Sequence, residues 1–254
     1  MTISWAGVIR PLIACGFALI AFCVANSVGH ADTFTYSLNG TLAEDSGNGP
    51  PLVAYGGTLA PTGFNFGVNR GLSLSATGAF DEYSIDIKFY FDSLNASSNG
   101  YQRILDFKNR ATDQGLYSLN GALTFFSPGF GYPTFTSAGA FTNGTLSDAL
   151  LTGSSTGEFS AYVNGGLAFS FSDTTSATTL SGPNSILFFF MDDFQSQANY
   201  PNFPEGGTGF IDTITVTMPS VSPVPMGPSL ASQFIGLALL GLIGWRRRWL
   251  AGDA

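Results

Sequence analysis

The sequence predicts an all-β protein: a two-sheet antiparallel β-sandwich flanked by an N-terminal signal helix and a C-terminal membrane helix. Three observations carry that reading. In "EYSIDIKFYFDSL" the residues Tyr83, Ile85, Ile87, Phe89 and Phe91 alternate with Ser84, Asp86, Lys88, Tyr90 and Asp92. A period of two sustained that long gives a strand with one buried and one wet face. Two Asn-Gly pairs, Asn120–Gly121 and Asn164–Gly165, each sit between alternating runs, which marks tight hairpins. Sustained helical periodicity is confined to two apolar segments at the ends of the chain.

Taken in order, the chain opens with "MTISWAGVIRPLIACGFALIAFCVANSVGHADTF". One positive charge, Arg10, precedes an apolar run from Pro11 to Ala25, and Gly29 and Ala31 precede a cut at Ala31–Asp32. That is the layout of a secretory signal peptide over residues 1–31. The run falls short of the roughly 20 residues that span a bilayer; an uncleaved anchor is the alternative. Both cysteines, Cys15 and Cys23, and the single histidine, His30, lie in this segment. Cleavage leaves no thiol and no imidazole. Ser-His-Asp and Cys-His catalysis are then excluded, as are zinc sites built on Cys and His.

Residues 32–222 follow as one domain of about 190 residues. Its strands are expected at "FTYSL", "GLSLSATGAF", "EYSIDIKFYFDSL" and "RILDFKN". The hairpins "GLYSLNGALTFF" and "EFSAYVNGGLAFSFSD" come next, then "SILFFFMDD" and "FIDTITVTM". Ile85, Ile87, Phe89, Phe91, Phe107, Val163 and Phe169 are the expected core. The low-complexity "SDTTSATTLSGPNS" reads as a loop, and "PSVSPVPMGPS" as a semi-rigid linker.

The last segment, 223–254, has a proline-rich lead, an apolar run over 230–245 and then Arg246, Arg247 and Arg248. Such an arginine cluster stays in the cytoplasm under the positive-inside rule, so this run is expected to be a transmembrane helix with the domain outside. "PVPMGPS", "LALLGLIGW" and "RRR" together resemble the PEP-CTERM sorting signal of bacterial envelope proteins. The resemblance implies recognition by exosortase, a membrane protease, with Pro225, Pro228, Arg246, Arg247 and Arg248 as the signal residues. Met226 and Gly227 depart from the family's lead, and a plain tail anchor is the alternative.

A second resemblance covers Tyr83 to Val216. The ordered motifs "YSIDIKFYFDSL", "RILDF", "AYVNGG" and "FIDTITV" are similar to those of laminin-G-like, concanavalin A-type domains. The family implies a jelly-roll sandwich, but it is defined by fold and hosts many functions.

Charge narrows the partners. Of the 17 acidic residues only Asp253 lies outside the domain, whereas five of the nine basic residues lie inside it, for a net charge near −11. Such a surface repels phosphate backbones, so nucleic acid is not an expected partner; it suits divalent cations or neutral glycans, and a polysaccharide is the expected macromolecular partner. "FFFMDDF" is the best calcium candidate. Asp192 and Asp193 close a buried strand beside a Gly/Pro/Asn loop, and hard cations take several oxygen ligands. Asp side chains that cap a turn are the alternative. Asp212 is expected to share a strand face with Phe210, Ile214, Val216 and Met218 and so to need a partner, with Arg103, Lys108 and Arg110 the available cations. Loop aromatics are candidate ligand contacts, namely Phe130, Tyr132 and Tyr200, or else they pack over the sandwich end. The Glu-x-Asp-x-x-Glu signature of concanavalin A-like glycoside hydrolases is absent. Asp86 and Asp92 share a strand but stand about 20 Å apart, too far to flank one glycosidic bond.

The expected function is therefore that of an exported, non-catalytic cell-surface or extracellular-matrix protein in glycan-associated binding or adhesion. The alternatives are a secreted carbohydrate-active enzyme, which converging carboxylates would favour, and a purely structural matrix protein.

Overall fold

The computed structural model describes residues 31–75, 82–97, 99–128, 131–180, 185–194 and 205–219, with the backbone alone for 131–135. Among the described residues the 15 extended elements all pair antiparallel, in two sheets. In chain order they are β1 (Ala31–Tyr36), β2 (Val53–Ala54), β3 (Thr58–Ala60), β4 (Gly63–Phe66), β5 (Leu72–Ser75), β6 (Tyr83–Phe91), β7 (Tyr101–Asp106) and β8 (Gly115–Leu119). Then come β9 (Ala122–Ser127), β10 (Gly131–Ser137), β11 (Ser147–Gly153), β12 (Glu158–Val163), β13 (Gly166–Ser172), β14 (Ile186–Phe189) and β15 (Gly209–Pro219). The first sheet runs β13-β12-β11-β6-β15-β4-β3, with β1 also on β15. The second runs β10-β9-β8-β7-β14-β5-β2.

The alternation of β6 does what its period demands. Ile85, Ile87 and Phe89 are fully buried, while Ser84, Asp86, Lys88 and Tyr90 face outward. The apolar faces of the two sheets meet in one core. It takes Phe64, Phe89, Ile214 and Phe159 from the first sheet and Leu72, Ile104, Phe125 and Phe189 from the second. Phe107 and Phe169 are buried as expected; Val163 is half-buried against the same core. Aromatic packing is dense at one end, where Phe190 stacks on Phe66 at 4.1 Å and meets Phe89 at 4.9 Å.

Both Asn-Gly pairs form the predicted two-residue turns. Asn120 and Gly121 have φ of 50° and 84°, and Asn164 and Gly165 have 49° and 78°. Two positive φ values in succession define the type I′ turn that matches strand twist.

Asp212 corrects the expectation. A bulge between Ile211 and Thr213 in the β15–β6 ladder inserts one residue, which re-aims every side chain before it. Ile211 takes the core position instead, Asp212 turns half out, and its partner is Lys88 at 3.8 Å, not a cation of the β7 region.

The signal helix of residues 1–31 and the membrane helix of 230–245 lie outside the described residues, save that Ala31 opens β1. Among the described residues no helix is long and apolar enough to cross a membrane.

Candidate functional site

The second sheet turns an unusual face away from the core. Cross-strand partners place Val53, Ser73, Phe188, Asp106, Gly115 and Phe126 in one row across six strands. Arg103, Tyr117 and Thr124 form the next row. Arg103 is 1% exposed, and a buried guanidinium is tolerable only when paired and hydrogen-bonded. It donates to Asp106 at 2.8 Å, to Asp113 at 3.1 Å, to Asp193 at 2.6 Å and to the Gln114 carbonyl at 3.1 Å. Its Nε lies 3.8 Å from Asp192 Oδ1, and its Cζ stands 4.5 Å over the Tyr117 ring. Gly115 makes the room: a Cβ there would lie 3.0 Å from Arg103 Nη1.

The acids around Arg103 are held from both sides. Asp106 Oδ1 accepts from the backbone amides of Lys108 and Arg110 at 2.9 and 2.7 Å. Asp192 accepts from the amides of Asp193 and Glu205 at 2.9 and 3.2 Å. Tyr117 donates to Asp113 at 2.5 Å. Burial pushes the Asp192 carboxyl up to about 6, against the pull of Arg103. Burial, helped by Asp113 and Asp192, pushes Glu205 up to about 7. Asp106 and Asp113 are raised for the same first reason.

Asp192 and Asp193 are thus both buried, and the cation they meet here is Arg103. Among the described residues the set that could meet a metal ion is Asp113, Asp193 and Glu205, each with a carboxylate oxygen within 4.8 Å of the others. Three oxygens are fewer than the six to eight that calcium takes, and Asp113 and Asp193 already serve the guanidinium.

Beside this cage the same face carries an exposed aromatic strip. Tyr55 and Phe194 are 43% and 57% exposed, and Val53 is 48% exposed. The Tyr55 ring meets Phe188 edge-on at 5.7 Å. Arg110 Cζ lies 5.7 Å from the Phe188 ring and 4.3 Å over that of Phe194. Arg110 is fixed by its Nε, which donates to the Asp192 carbonyl at 2.5 Å. Asn109 and Arg110 have φ of 54° and 59°, consecutive left-handed residues that carry local strain. Asn109 holds its place by accepting from the Ile186 amide at 2.8 Å.

The first sheet has a smaller polar groove of about 280 Å³ on its outer face, lined by Asp86, Lys88, Asp148, Thr213 and Thr215. Asp148 stands opposite Lys88 across the β11–β6 ladder. Burial, and then the Asp148 carboxyl close enough to share a proton, push Asp86 up to about 7.

Of the ligand contacts expected from sequence, Phe130 and Tyr200 lie outside the described residues, and Tyr132 falls on β10 where the side chain does too. The sorting residues Pro225, Pro228, Arg246, Arg247 and Arg248 also lie outside them. Sequence reasoning missed Tyr55, Phe194 and Asp148. The pair "NR" at Asn109–Arg110 was the one available signal for the strip, since Asn is a frequent left-handed residue.

No protein-family model matches the chain, and no curated protein matches it. Among solved structures it is similar to domain 4 of AbnA, a GH43 extracellular arabinanase from Geobacillus stearothermophilus, solved in complex with arabinotriose. That likeness has a TM-score of 0.55 at 16% identity, over 76% of this chain and 95% of that one. A Ruminococcus gnavus IT-sialidase CBM40 bound to α2,3-sialyllactose follows at a TM-score of 0.42 and 16% identity, over 60% and 88% of the chains. The binding domain of botulinum neurotoxin serotype D gives 0.49 at 12% identity, over 74% of this chain; this chain spans about half of that one, 48%. At these identities the likeness to the arabinanase domain establishes the β-sandwich fold.

Proposed function

We propose that this protein is an exported, non-catalytic glycan-binding or adhesion domain of the cell surface or extracellular matrix. The observation that carries the reading is the pair of exposed rings Tyr55 and Phe194, backed by the buried Phe188 and Arg110, on the outer face of the second sheet. Sugar rings present apolar C–H faces to aromatic rings and hydroxyls to fixed donors, and pockets of this type combine the two. The arabinanase domain of similar fold was solved with an arabinose oligomer, which supports a glycan over other ligands. Export to the envelope, the laminin-G-like assignment, the PEP-CTERM-like signal with its exosortase partner, and membrane attachment through residues 230–245 are part of the same proposal and rest on the sequence motifs.

The test is affinity electrophoresis of the full chain, in detergent, through gels containing a panel of polysaccharides. Retardation by at least one, weakened about tenfold or more by Tyr55→Ala and Phe194→Ala, is the expected result. Mobility unchanged across the panel sinks the proposal.

A second reading, a carbohydrate-active enzyme, draws on the convergence of Asp86 and Asp148 in one groove. Carboxyls near enough to share a proton are closer than the roughly 5 Å of a retaining glycosidase pair, which favours binding. Reducing-sugar release that disappears in Asp86→Asn and Asp148→Asn would reverse that preference.

A further inference from the structure

Two arginines stand on the outer face of the second sheet, and they are treated differently. Arg103 is surrounded by Asp106, Asp113, Asp192 and Asp193. Arg110, 6% exposed, takes only one main-chain oxygen, that of Asp192, through its Nε. Among the described residues no hydrogen bond or salt bridge reaches its two terminal amines, its ring contacts are Phe188 and Phe194, and Asp106, Asp192 and Asp193 act on its charge from farther off. A guanidinium nine-tenths buried with no direct ion pair is expensive, and the carboxylates of Asp106, Asp192 and Asp193 offset only part of that expense. The backbone strain at Asn109 and Arg110 adds to that expense. The arrangement fixes the side chain while leaving its forked amines unspent.

We infer that Arg110 is the specificity-determining donor of the aromatic strip, and that it takes the carboxylate of an acidic sugar whose ring lies against Phe194 and Tyr55. The inference rests on the glycan-binding reading above and narrows it to uronic-acid-type ligands. The chemistry is specific. Two parallel N–H groups match the two oxygens of a carboxylate, a pairing that a sugar hydroxyl reproduces only in part. The acids nearest to Arg110 act on its charge but direct their hydrogen bonds elsewhere, Asp106 and Asp193 to Arg103 and Asp192 to backbone amides. Phe194 and Tyr55 then supply ring contact that is indifferent to charge.

The experiment compares the full chain, in detergent, on a panel of uronic-acid oligomers (galacturonate, glucuronate, mannuronate and guluronate) and on the same oligomers reduced at the carboxyl to neutral sugars. At least one acidic oligomer should bind ten times or more tighter than its reduced counterpart. Arg110→Gln should abolish that preference, and Arg110→Lys should retain the charge yet lose most of it, because a point charge cannot grip both oxygens. Phe194→Ala should weaken both members of a pair by a similar factor. Equal affinity for acidic and reduced oligomers in the unmutated protein overturns the inference and leaves glycan binding standing; so does a preference that survives Arg110→Gln. Binding to neither set, nor to any neutral polysaccharide of the wider panel, overturns the glycan reading itself. The comparison within the unmutated chain decides the matter even if the arginine variants fold poorly, which melting of each variant will show.

Discussion

Arg103 gathers Asp106, Asp113, Asp192, Asp193 and the Gln114 carbonyl around one buried guanidinium, and its removal is expected to be costly. Arg103→Met keeps much of the volume but strands Asp106 and Asp193 without their cation. Breaking a buried pair in this way costs about 3–5 kcal/mol, which for a domain of this size lowers the melting temperature by about 10 °C; thermal melting of the purified variant checks it. The acids of the cage also set a pH dependence. In the folded chain Asp192 titrates at about 6 and Glu205 at about 7, both raised by burial from an ordinary value near 4. The folded state therefore holds protons that the unfolded state has released. The associated stability is full below pH about 4 and is lost as the pH climbs through 6 and 7. Asp86, raised to about 7, acts in the same sense. Glu44 acts in the opposite sense. Hydrogen bonds led by Ser46 hold it near 2, so its contribution is lost as the pH falls from about 4.5 toward 2. The melting temperature should peak in mildly acidic buffer and decline by pH 8; a flat or rising profile between pH 5 and 8 contradicts the assignment. Little of this cage was legible beforehand. Asp192 and Asp193 announced themselves as an acidic strand end, but their partner lies 90 residues earlier in "QRILDF", among alternating apolar residues where nothing local distinguishes a caged arginine from a solvated one.

Strand β15 shows what separates the legible from the illegible among the elements. Its existence and direction follow from "FIDTITVTM", and its central place follows from apolar residues at Ile214, Val216 and Met218. The bulge before Thr213 does not follow from composition, because a bulge is a property of the ladder shared with β6. One inserted residue moved Ile211 into the core and Asp212 out of it. The β8–β9 hairpin, by contrast, was readable to the residue, because Asn-Gly fixes both the turn and its register locally; in β12–β13 the turn was readable but the register shift between Ala161 and Tyr162 was not. The glycines at ladder positions give a test at this scale. A Cβ on Gly209, where β15 crosses between β4 and β6, would stand 2.0 Å from the Tyr90 carbonyl oxygen. Gly209→Ala must push the strands apart and should lower stability by about 1–3 kcal/mol. At Gly166, in β13, the nearest atom is 3.5 Å away, and Gly166→Ala should change stability by less than about 0.5 kcal/mol. Denaturant midpoints of the two variants make the comparison; equal losses would mean that the β15 junction yields more readily than its geometry implies.

For the molecule as a whole, patterning identified the class of fold, while the ligand surface depended on juxtapositions that patterning cannot see. Tyr55, Arg110 and the pair Phe188 and Phe194 come from three separate stretches and meet only through the folded arrangement of the second sheet. The envelope proposal has its own check. Expressed in a host with an exosortase, the protein should lose residues 1–31 and the segment from about Pro225 onward by intact mass. Persistence of the tail through Ala254 in membranes would make the last segment a permanent anchor. One further consequence comes from the pairing of β1 with β15, in which Ala31 faces Pro219. The first strand and the last are neighbours, and β15 is also the strand that joins β6 to β4. A chain emerging from its N-terminus therefore cannot complete the first sheet until residues 209–219 have arrived, and closing so long a loop is slow. The first sheet thus has its keystone at the far end of the domain, and it closes within a few residues of the point where the proline-rich lead begins.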